Sequence, residues 1–329
     1  MLKGTYLIAG CSGLVGTQTL KRLKNVDGVS VKAVHYSRIP LVSGKNIEHA
    51  RADLRDLDAC KRLVEDVDYV FMLAAQLSTA PVVAKNPVSH VTSNMVMNAN
   101  ILEASYFSNV KKFIWLSSST GYPQSTDVLT EDHMFLGDPP DNHFSVGWMS
   151  RYTEVLCRMY STKLNNPMPT AILRPTTIYG EHEDFDFETA HMLPALIRKV
   201  VEGHNPIVVW GDGEQSRDLI YVDDVVDACF LALANIAIHD VFNIGLGEEY
   251  TVNQILAIIR DVVGDVDAEI EHDLSKPGSF KKKMIALKKA ETVLGFRAKT
   301  SLRDGIEHMV SWYQSHPLPY SGATPSLSK

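Results

Sequence analysis

Short runs of apolar or β-branched residues alternate with segments of helical periodicity through the first half of the chain. The runs predict strands at residues 6–9, 29–34, 69–73, 113–116 and 170–173. Apolar positions three or four residues apart predict helices at residues 15–23, 54–66, 89–107 and 148–162. Strands joined by helices of this length form βαβ units, in which the strands are parallel and the crossovers right-handed. The pattern therefore predicts an α/β fold built on a doubly wound parallel sheet.

The pattern loosens after Arg174, where proline and glycine interrupt shorter elements. It predicts helices at residues 191–202, 223–234, 252–263 and near 302–313, and a strand at 207–209. We divide the chain into a first domain, residues 1–173, and a smaller lobe, mainly residues 174–314. Segments near 222–245 are candidates to return to the sheet of the first domain. Residues 315–329, rich in proline and serine, are predicted to form a flexible tail.

Length and composition are those of an ordinary globular protein. The 329 residues suffice for two structural units, and 45% are hydrophobic and 22% charged, which excludes a disordered chain, a collagen-like repeat or a small disulfide-stapled protein. Because the net charge is −7, the chain lacks the basic surface that a nonspecific nucleic-acid binder needs. No apolar run reaches about 18 residues and no signal-peptide pattern opens the chain, so we expect a cytoplasmic protein without a membrane partner.

The four cysteines are Cys11, Cys60, Cys157 and Cys229. None belongs to a CxxC pair, and no cysteine–histidine cluster has the spacing of zinc ligands. We therefore predict four free, buried or half-buried thiols in a reducing compartment, and no metal site.

A glycine loop, residues 10–16 (GCSGLVG), lies between the first predicted strand and the first predicted helix. Glycines at this place let the backbone turn sharply and approach a pyrophosphate, which then lies at the helix N-terminus. The spacing is GxxGxxG, and its position between strand and helix makes the match strong. The first domain is therefore predicted to be a dinucleotide-binding Rossmann domain. Its predicted contacts are Gly10, Ser12, Gly13, Leu14, Val15 and Gly16.

The end of the second strand bears on the choice of dinucleotide. NAD-binding sites usually have an acidic residue there, but no carboxylate occurs between Asp27 and Glu48. Arg38, with His35, could instead bind a 2′-phosphate, which favours NADP(H); if both are solvated, NAD(H) is the alternative. Asp53, followed by Leu54, either binds the adenine amino group or caps a helix that starts at Leu54.

Further motifs resemble one family. Leu73-Ala74-Ala75, residues 94–104 (NMVMNANILEA) and residues 174–180 (RPTTIYG) resemble segments of the extended short-chain dehydrogenases/reductases, the NAD-dependent epimerase/dehydratase family. Residues 184–224 and residues 275–283 are similar to the GDP-L-fucose synthases within its nucleotide-sugar branch. The resemblance runs from Thr5 to about Tyr313. It implies a nucleotide-sugar oxidoreductase or epimerase, acting on a GDP-linked keto-deoxyhexose, deoxyhexose or heptose.

The resemblance also implies positions for ligands. Ala74, Ala75 and Pro175 are expected beside the cofactor. The expected substrate contacts are Ser119, Thr177, Lys199, Trp210, Arg217 and Lys282. Lys199, Arg217 and the run of lysines 281–283 supply cations for a sugar-linked pyrophosphate, although a solvated face is the other interpretation of that run. The family commonly forms homodimers through two helices per subunit, here those near 89–107 and 148–162.

The catalytic motif departs from the family pattern. The family uses a Ser or Thr and a Tyr-x-x-x-Lys motif, in which the Tyr transfers the proton and the Lys lowers its pKa and holds the nicotinamide ribose. Ser118 matches the catalytic hydroxyl, Thr120 stands where GDP-L-fucose synthases have a Cys acid, and His191 matches their second epimerisation acid. If Arg151 takes the place of the Lys and holds the ribose, Gly147 takes that of the Tyr. A shift by one residue gives Ser150 and Val146.

Two hypotheses follow from the missing phenol. In the first, the protein is an enzyme in which His191, His143 or a water replaces the tyrosine; Tyr122 and Tyr152 also lie nearby in sequence. In the second, it is a catalytically weak or inactive subunit that binds NADP(H) or a nucleotide sugar and regulates a partner. Fold alone does not separate them, since one fold hosts both roles.

Overall fold

The computed structural model describes residues 2–76, 88, 90–276 and 284–316. Its strands are β1 Gly4–Ala9, β2 Val29–His35, β3 Ile47–Arg51, β4 Tyr69–Met72, β5 Lys112–Leu116, β6 Thr170–Pro175, β7 Thr177–Tyr179, β8 Ile207–Trp210, β9 Ser216–Arg217, β10 Leu219–Tyr221, β11 His239–Ile244, β12 Tyr250–Thr251 and β13 Ile270–Asp273. Its α-helices are α1 Leu14–Leu23, α2 Leu57–Leu63, α3 Val91–Phe107, α4 Phe144–Thr162, α5 Met192–Val201, α6 Val222–Asn235, α7 Val252–Val263 and α8 Leu302–Ser315. None of these described helices is long and apolar enough to cross a bilayer.

The central sheet has seven strands in the order β11-β6-β5-β4-β1-β2-β3, and all are parallel. The chain starts in the middle of the sheet and runs outward to β3, then crosses back over β1 to add β4, β5 and β6. This order is that of a doubly wound sheet, so the predicted α/β fold is confirmed.

Both faces of the sheet are covered because alternate strand residues point to opposite sides. Tyr6 and Ile8 belong to one apolar cluster, which also contains residues of α1 and α6. Leu7 and Ala9 belong to the other, which contains residues of α3 and α4. A strand buried on both faces is apolar throughout, which is why the central strands were predictable from short apolar runs.

The C-terminal lobe shares the first of these clusters. Residues of α5, α7 and α8 lie in the same continuous core as those of β1 and α1. Strand β11 pairs with β6, so the segment 239–244 extends the central sheet, and α6 packs against α1 and the strands rather than adding a strand. The four cysteines are buried and free, as predicted, and burial raises the pKa of Cys11, Cys60 and Cys229 to about 12.

The helix expected at 54–66 is shorter, and Asp53 does not cap it. The helix begins at Leu57, and its N-cap is Asp56, whose Oδ1 accepts hydrogen bonds from the backbone N–H of Asp58 and Ala59 at 2.9 and 3.3 Å. The capping alternative for Asp53 is therefore wrong. The chain turns at this place, with the Asp56 N–H donating to the Asp53 carbonyl, which delays the helix by one turn. Helix α4, conversely, begins before the predicted residue 148.

A buried ion pair joins the helix α4 to the sheet. The Arg174 guanidinium on β6 donates its Nε to Oε1 of Glu154 at 2.9 Å and a terminal nitrogen to Oε2 at 2.5 Å, and both side chains are 3% exposed. Glu154 also accepts from Ser117 Oγ at 2.8 Å, at the end of β5. One ion pair therefore fixes the position of α4 relative to two strand ends.

The same guanidinium extends the polar network to the edge of the sheet. Arg174 donates to Tyr122 Oη at 2.7 Å and to the Glu131 carbonyl at 2.8 Å. Tyr122 Oη in turn donates to Asn243 Oδ1 at 2.6 Å, on β11. Because each buried polar group has a partner, the network avoids the desolvation cost of an unpaired charge.

We expect Arg174→Gln to lower the free energy of unfolding by about 3–5 kcal/mol, because it leaves the Glu154 carboxylate buried without its counter-charge. Urea unfolding followed by circular dichroism measures the loss. Arg303→Gln is the control, since its partner Asp261 is exposed and the variant should unfold as the parent does. Equal stability of the two variants would contradict a structural role for the buried pair.

Candidate active site

Two glycines of the loop are required by close packing. Gly10 has φ +84°, and a Cβ there would lie 2.6 Å from Ala74 Cα, at the end of β4. A Cβ on Gly16 would lie less than 3.0 Å from the Gly10 carbonyl oxygen and from Cys11 Cα. Neither position has room for a side chain, so these glycines bring the loop against β4 and the first turn of α1 against the loop.

Gly13 has a different environment. It is the N-cap of α1, and the nearest heavy atom to a Cβ there would be the Gly10 carbonyl oxygen at 3.4 Å. The first turn of α1 contains no acidic side chain and no side-chain cap. The amides of Leu14 and Val15, at the open end of the helix, are therefore suited to a diphosphate, and Ser12 lies in the same loop.

The end of β2 also fits a dinucleotide. His35 Nδ1 is buried, and no side chain among the described residues bonds it. Burial lowers the pKa of His35, so the ring is neutral at pH 7. Arg38 lies three residues on and is half-buried. The open Gly13 position and the buried imidazole nitrogen thus fit a dinucleotide whose adenosine half lies at the end of β2.

Asp53, the expected adenine contact, is paired with Arg55 in this structure. Asp53 accepts three hydrogen bonds of 2.6–3.0 Å from the Arg55 side chain, and this interaction lowers its pKa. Contact of Asp53 and Leu54 with adenine stays a prediction. Ala74 packs against Gly10, Ala75 is exposed beside it, and Pro175 ends β6. All three lie at the carboxyl ends of the strands, where open α/β sheets bind ligands.

The serine-rich segment after β5 forms a short helical turn. Ser118 is its N-cap, and its Oγ accepts hydrogen bonds from the Thr120 backbone N–H at 3.1 Å and from Thr120 Oγ1 at 2.9 Å. Ser119 is half-buried between them. Thr120 thus donates its hydroxyl proton to Ser118 Oγ within the turn.

The helix α4 turns one face to this segment. Glu154 faces it, because its carboxylate accepts from Ser117 Oγ. Positions three, four and seven residues earlier in a helix lie near the same face, and these are Arg151, Ser150 and Gly147. Gly147, a Cβ on which would lie 3.2 Å from the Thr120 carbonyl oxygen, and Arg151, which donates to the Gly121 carbonyl, therefore lie on the helix face nearest this turn.

Gly147 and Arg151 also contact the segment that precedes α4. A Cβ on Gly147 would lie 2.6 Å from Cβ and Cγ of Pro139, so a larger side chain does not fit there. Arg151 is 1% exposed and donates to the carbonyls of Gly121 and Gly137 at 2.8 and 2.5 Å. Its guanidinium also lies 4.7 Å from the centroid of the Trp148 ring. Contact with a ribose stays a prediction, and it requires these bonds to rearrange.

The nearby phenols do not replace the missing tyrosine. Tyr122 is fully buried, with its hydroxyl bonded to Arg174 and Asn243, and burial raises its pKa to about 12. Tyr122 as a replacement is therefore wrong, since its proton is committed to Asn243. Tyr152 is 51% exposed, two positions from Ser150 on the helix, and so points elsewhere. His143 is the N-cap residue of α4.

The lobe residues are spread over several elements. His191 is the N-cap of α5, where desolvation of its ring lowers its pKa although the residue is exposed overall. Lys199, two turns along α5, donates Nζ to the Val208 carbonyl at 2.6 Å, and Arg217 donates to the Ser216 carbonyl at 2.9 Å. Trp210 is exposed, with Lys276 Nζ 5.5 Å from its ring centroid. Thr177 is exposed on β7, and Lys282 lies outside the described residues.

The NAD-dependent epimerase/dehydratase family matches residues 6–245 of this chain. The chain belongs to this family. By that membership it is an NAD(P)-dependent enzyme of the epimerase and reductase type that acts on nucleotide sugars.

Individual relatives span most of the chain. A putative GDP-L-fucose synthase 2 of Arabidopsis thaliana is 26% identical over 93% of this chain and 90% of the relative. The GDP-L-colitose synthase of Yersinia pseudotuberculosis is 30% identical over 69% of this chain and 75% of its own length. The structure of the Thermotoga maritima UDP-glucose 4-epimerase with UDP-glucose superposes with a TM-score of 0.82 at 27% identity, covering 94% of this chain and 99% of that one.

One acidic residue that follows the segment 174–180 has a property that the sequence did not predict. Burial raises the pKa of Glu183 to about 8, and the charge of Asp184 adds to the shift, so the carboxyl holds its proton at pH 7. Glu183 follows the family motif that ends at Gly180, close to α1, where Gly180 approaches Leu14. An acidic run such as residues 181–184 resembles a solvated turn in sequence, and only packing reveals the buried member.

We expect Gly13→Ala to weaken dinucleotide binding about tenfold, by displacing one charge-assisted hydrogen bond, while the unfolding temperature stays near that of the parent. Gly16→Ala is the matched variant, and its Cβ would overlap the Gly10 carbonyl. It should cost about 1–3 kcal/mol of stability. Calorimetric titration and thermal unfolding separate the two effects. Unchanged dinucleotide affinity in Gly13→Ala would contradict the assigned diphosphate position.

Proposed function

We propose that the protein is a nucleotide-sugar oxidoreductase or epimerase that acts on a GDP-linked deoxyhexose, keto-deoxyhexose or heptose, with NADP(H) favoured over NAD(H). The observation that carries the proposal is His191. Its imidazole lies at the open N-terminus of α5, and the sequence resemblance matches it to the epimerisation acid of the GDP-L-fucose synthases. The names of the plant and bacterial relatives support a GDP-linked sugar.

The chain's own residues have distinct proposed roles. A bound nicotinamide dinucleotide supplies or accepts the hydride. Ser118, with its Oγ held by Thr120, orients the sugar oxygen through its hydroxyl proton. In epimerisation, the carbon beside the sugar ketone first loses its proton to solvent to form an enolate, and His191 then gives its ring proton to that carbon from the other face. The cationic side chains of Arg217 and Lys199 bind the diphosphate of the nucleotide. Lys199 must first release the Val208 carbonyl, and burial lowers the pKa of its amine.

A second candidate, a catalytically weak or inactive binding subunit, is favoured by one observation. Pro139 occupies the space beside Gly147, and no phenol stands at position 146 or 147. The two candidates share the dinucleotide site and differ in turnover.

Two further properties are proposed with this function. We expect a homodimer in which α3 and α4 pair with those of a second copy, covering those of Met95, Val96, Tyr106, Leu156 and Met159 that face outward. Of these, Tyr106 and Leu156 pack in part against the core of their own subunit. A cytoplasmic location stays a prediction.

Turnover distinguishes the candidates. The protein is incubated with NADP(H) or NAD(H) and a panel of GDP-, dTDP-, UDP- and CDP-linked 4-keto and parent sugars, and absorbance at the nicotinamide band is followed. We expect turnover with a GDP-linked sugar. Cofactor binding without turnover on any sugar would overturn the enzyme proposal and support the binding subunit.

The pH dependence tests His191. Its lowered pKa makes the protonated form a minor species at pH 7, so epimerisation should speed up as the pH falls below 6.5, the usual histidine value, while reduction does not follow. His191→Asn should abolish epimerisation and this rise, and leave reduction. Product analysis by NMR across pH measures both. Epimerisation that persists in the variant refutes the assignment.

A further inference from the structure

The carboxyl ends of β2 and β3 bring together basic side chains that are distant in sequence. In the register of these parallel strands, His35 lies beside Arg51. Residues in register on neighbouring strands project from the same face of a sheet, so the two side chains are neighbours. Arg51 donates Nε to the Tyr36 carbonyl at 3.1 Å, which holds the guanidinium against the segment that leads to Arg38.

The charge of Arg51 is not cancelled by an acid. No carboxylate in the described part of the chain forms an ion pair with it, and the sequence has none between Asp27 and Glu48. Arg55, the other arginine near Tyr36, differs in this respect. It donates to both carboxylate oxygens of Asp53, so its charge is already paired.

The imidazole beside Arg51 indicates the kind of ligand that fits here. His35 Nδ1 is buried, and no side chain among the described residues bonds it; the backbone of Arg38 interacts with the ring, and a ligand at this place can supply a further partner. Burial lowers the pKa of His35, and the neighbouring His49 and Arg51 charges lower it further. A phosphate can accept a hydrogen bond from a neutral imidazole and two from a guanidinium, and its charge matches the uncancelled arginine.

We propose that Arg51, with Arg38 and His35, binds the 2′-phosphate of NADP(H) and so determines the choice between NADP(H) and NAD(H). The inference rests on the proposed NADP(H) preference and adds a residue from β3 to it. NAD(H) has a neutral hydroxyl at the same place, which gives the guanidinium no charge to pair with. Arg55 has no such role, because Asp53 holds its donors.

Direct binding tests the inference. Calorimetry measures the affinity of the full chain for NADPH, NADH, 2′,5′-ADP and 5′-AMP, in the parent and in Arg51→Gln. We expect Arg51→Gln to weaken NADPH and 2′,5′-ADP about tenfold or more and the other two less than about twofold. Arg51→Lys, which keeps the charge but not the two-pronged donor, should lie between. Arg62→Gln, in the last turn of α2, is the control for loss of one positive charge.

The cofactor preference of the parent protein distinguishes failure of the Arg51 assignment from failure of the proposed NADP(H) preference. If it prefers NADPH and Arg51→Gln keeps that preference, the assignment of Arg51 is overturned while the proposed cofactor stands. If the parent binds NADPH and NADH equally well, the proposed preference fails and the assignment fails with it. Unfolding temperatures equal to that of the parent show that a changed affinity reflects the site rather than the fold.

Discussion

The ion pair between Glu154 and Arg174 is the interaction on which the geometry of the site depends. It joins α4 to β6, and through Ser117 and Tyr122 it reaches the end of β5 and the edge strand β11. A buried pair is stabilising only when its remaining hydrogen-bonding capacity is filled, and here hydroxyl and carbonyl groups fill it. The ion pair therefore holds α4 in place relative to Ser118, independently of the residues on the exposed face of the helix.

That constraint explains how the family scaffold persists while its proton donor is lost. Gly147 and Arg151 lie near the face that Glu154 fixes, but Pro139 covers Gly147 and two backbone carbonyls bind Arg151. The positively charged Arg151 thus connects the 121–137 segment to α4. Packing positions α4, whereas proton transfer in the family depends on a tyrosine hydroxyl that this chain lacks at the matching position.

The sequence predicted the elements that depend on residues close together in the chain. Central strands buried on both faces are apolar runs, and the glycine loop is contiguous, so both were found. Strand β3, with the sequence IEHAR, is a largely exposed edge strand without an apolar run. Asp53 and Asp56 are equivalent as capping candidates until the turn between them is known. The burial of Glu183, the direction of Arg151 and the proximity of Arg51 to His35 all depend on segments far apart in the chain, which periodicity does not describe.

Transfer of deuterium from cofactor to sugar tests most directly whether this protein performs redox chemistry on a nucleotide sugar without the family tyrosine. The protein is mixed with NADPH deuterated at the nicotinamide C4 position and a GDP-4-keto-6-deoxyhexose, and the product is examined by mass spectrometry and NMR. We predict deuterium on the sugar carbon that carried the ketone. Tight binding of both ligands with no deuterium in the sugar would contradict it.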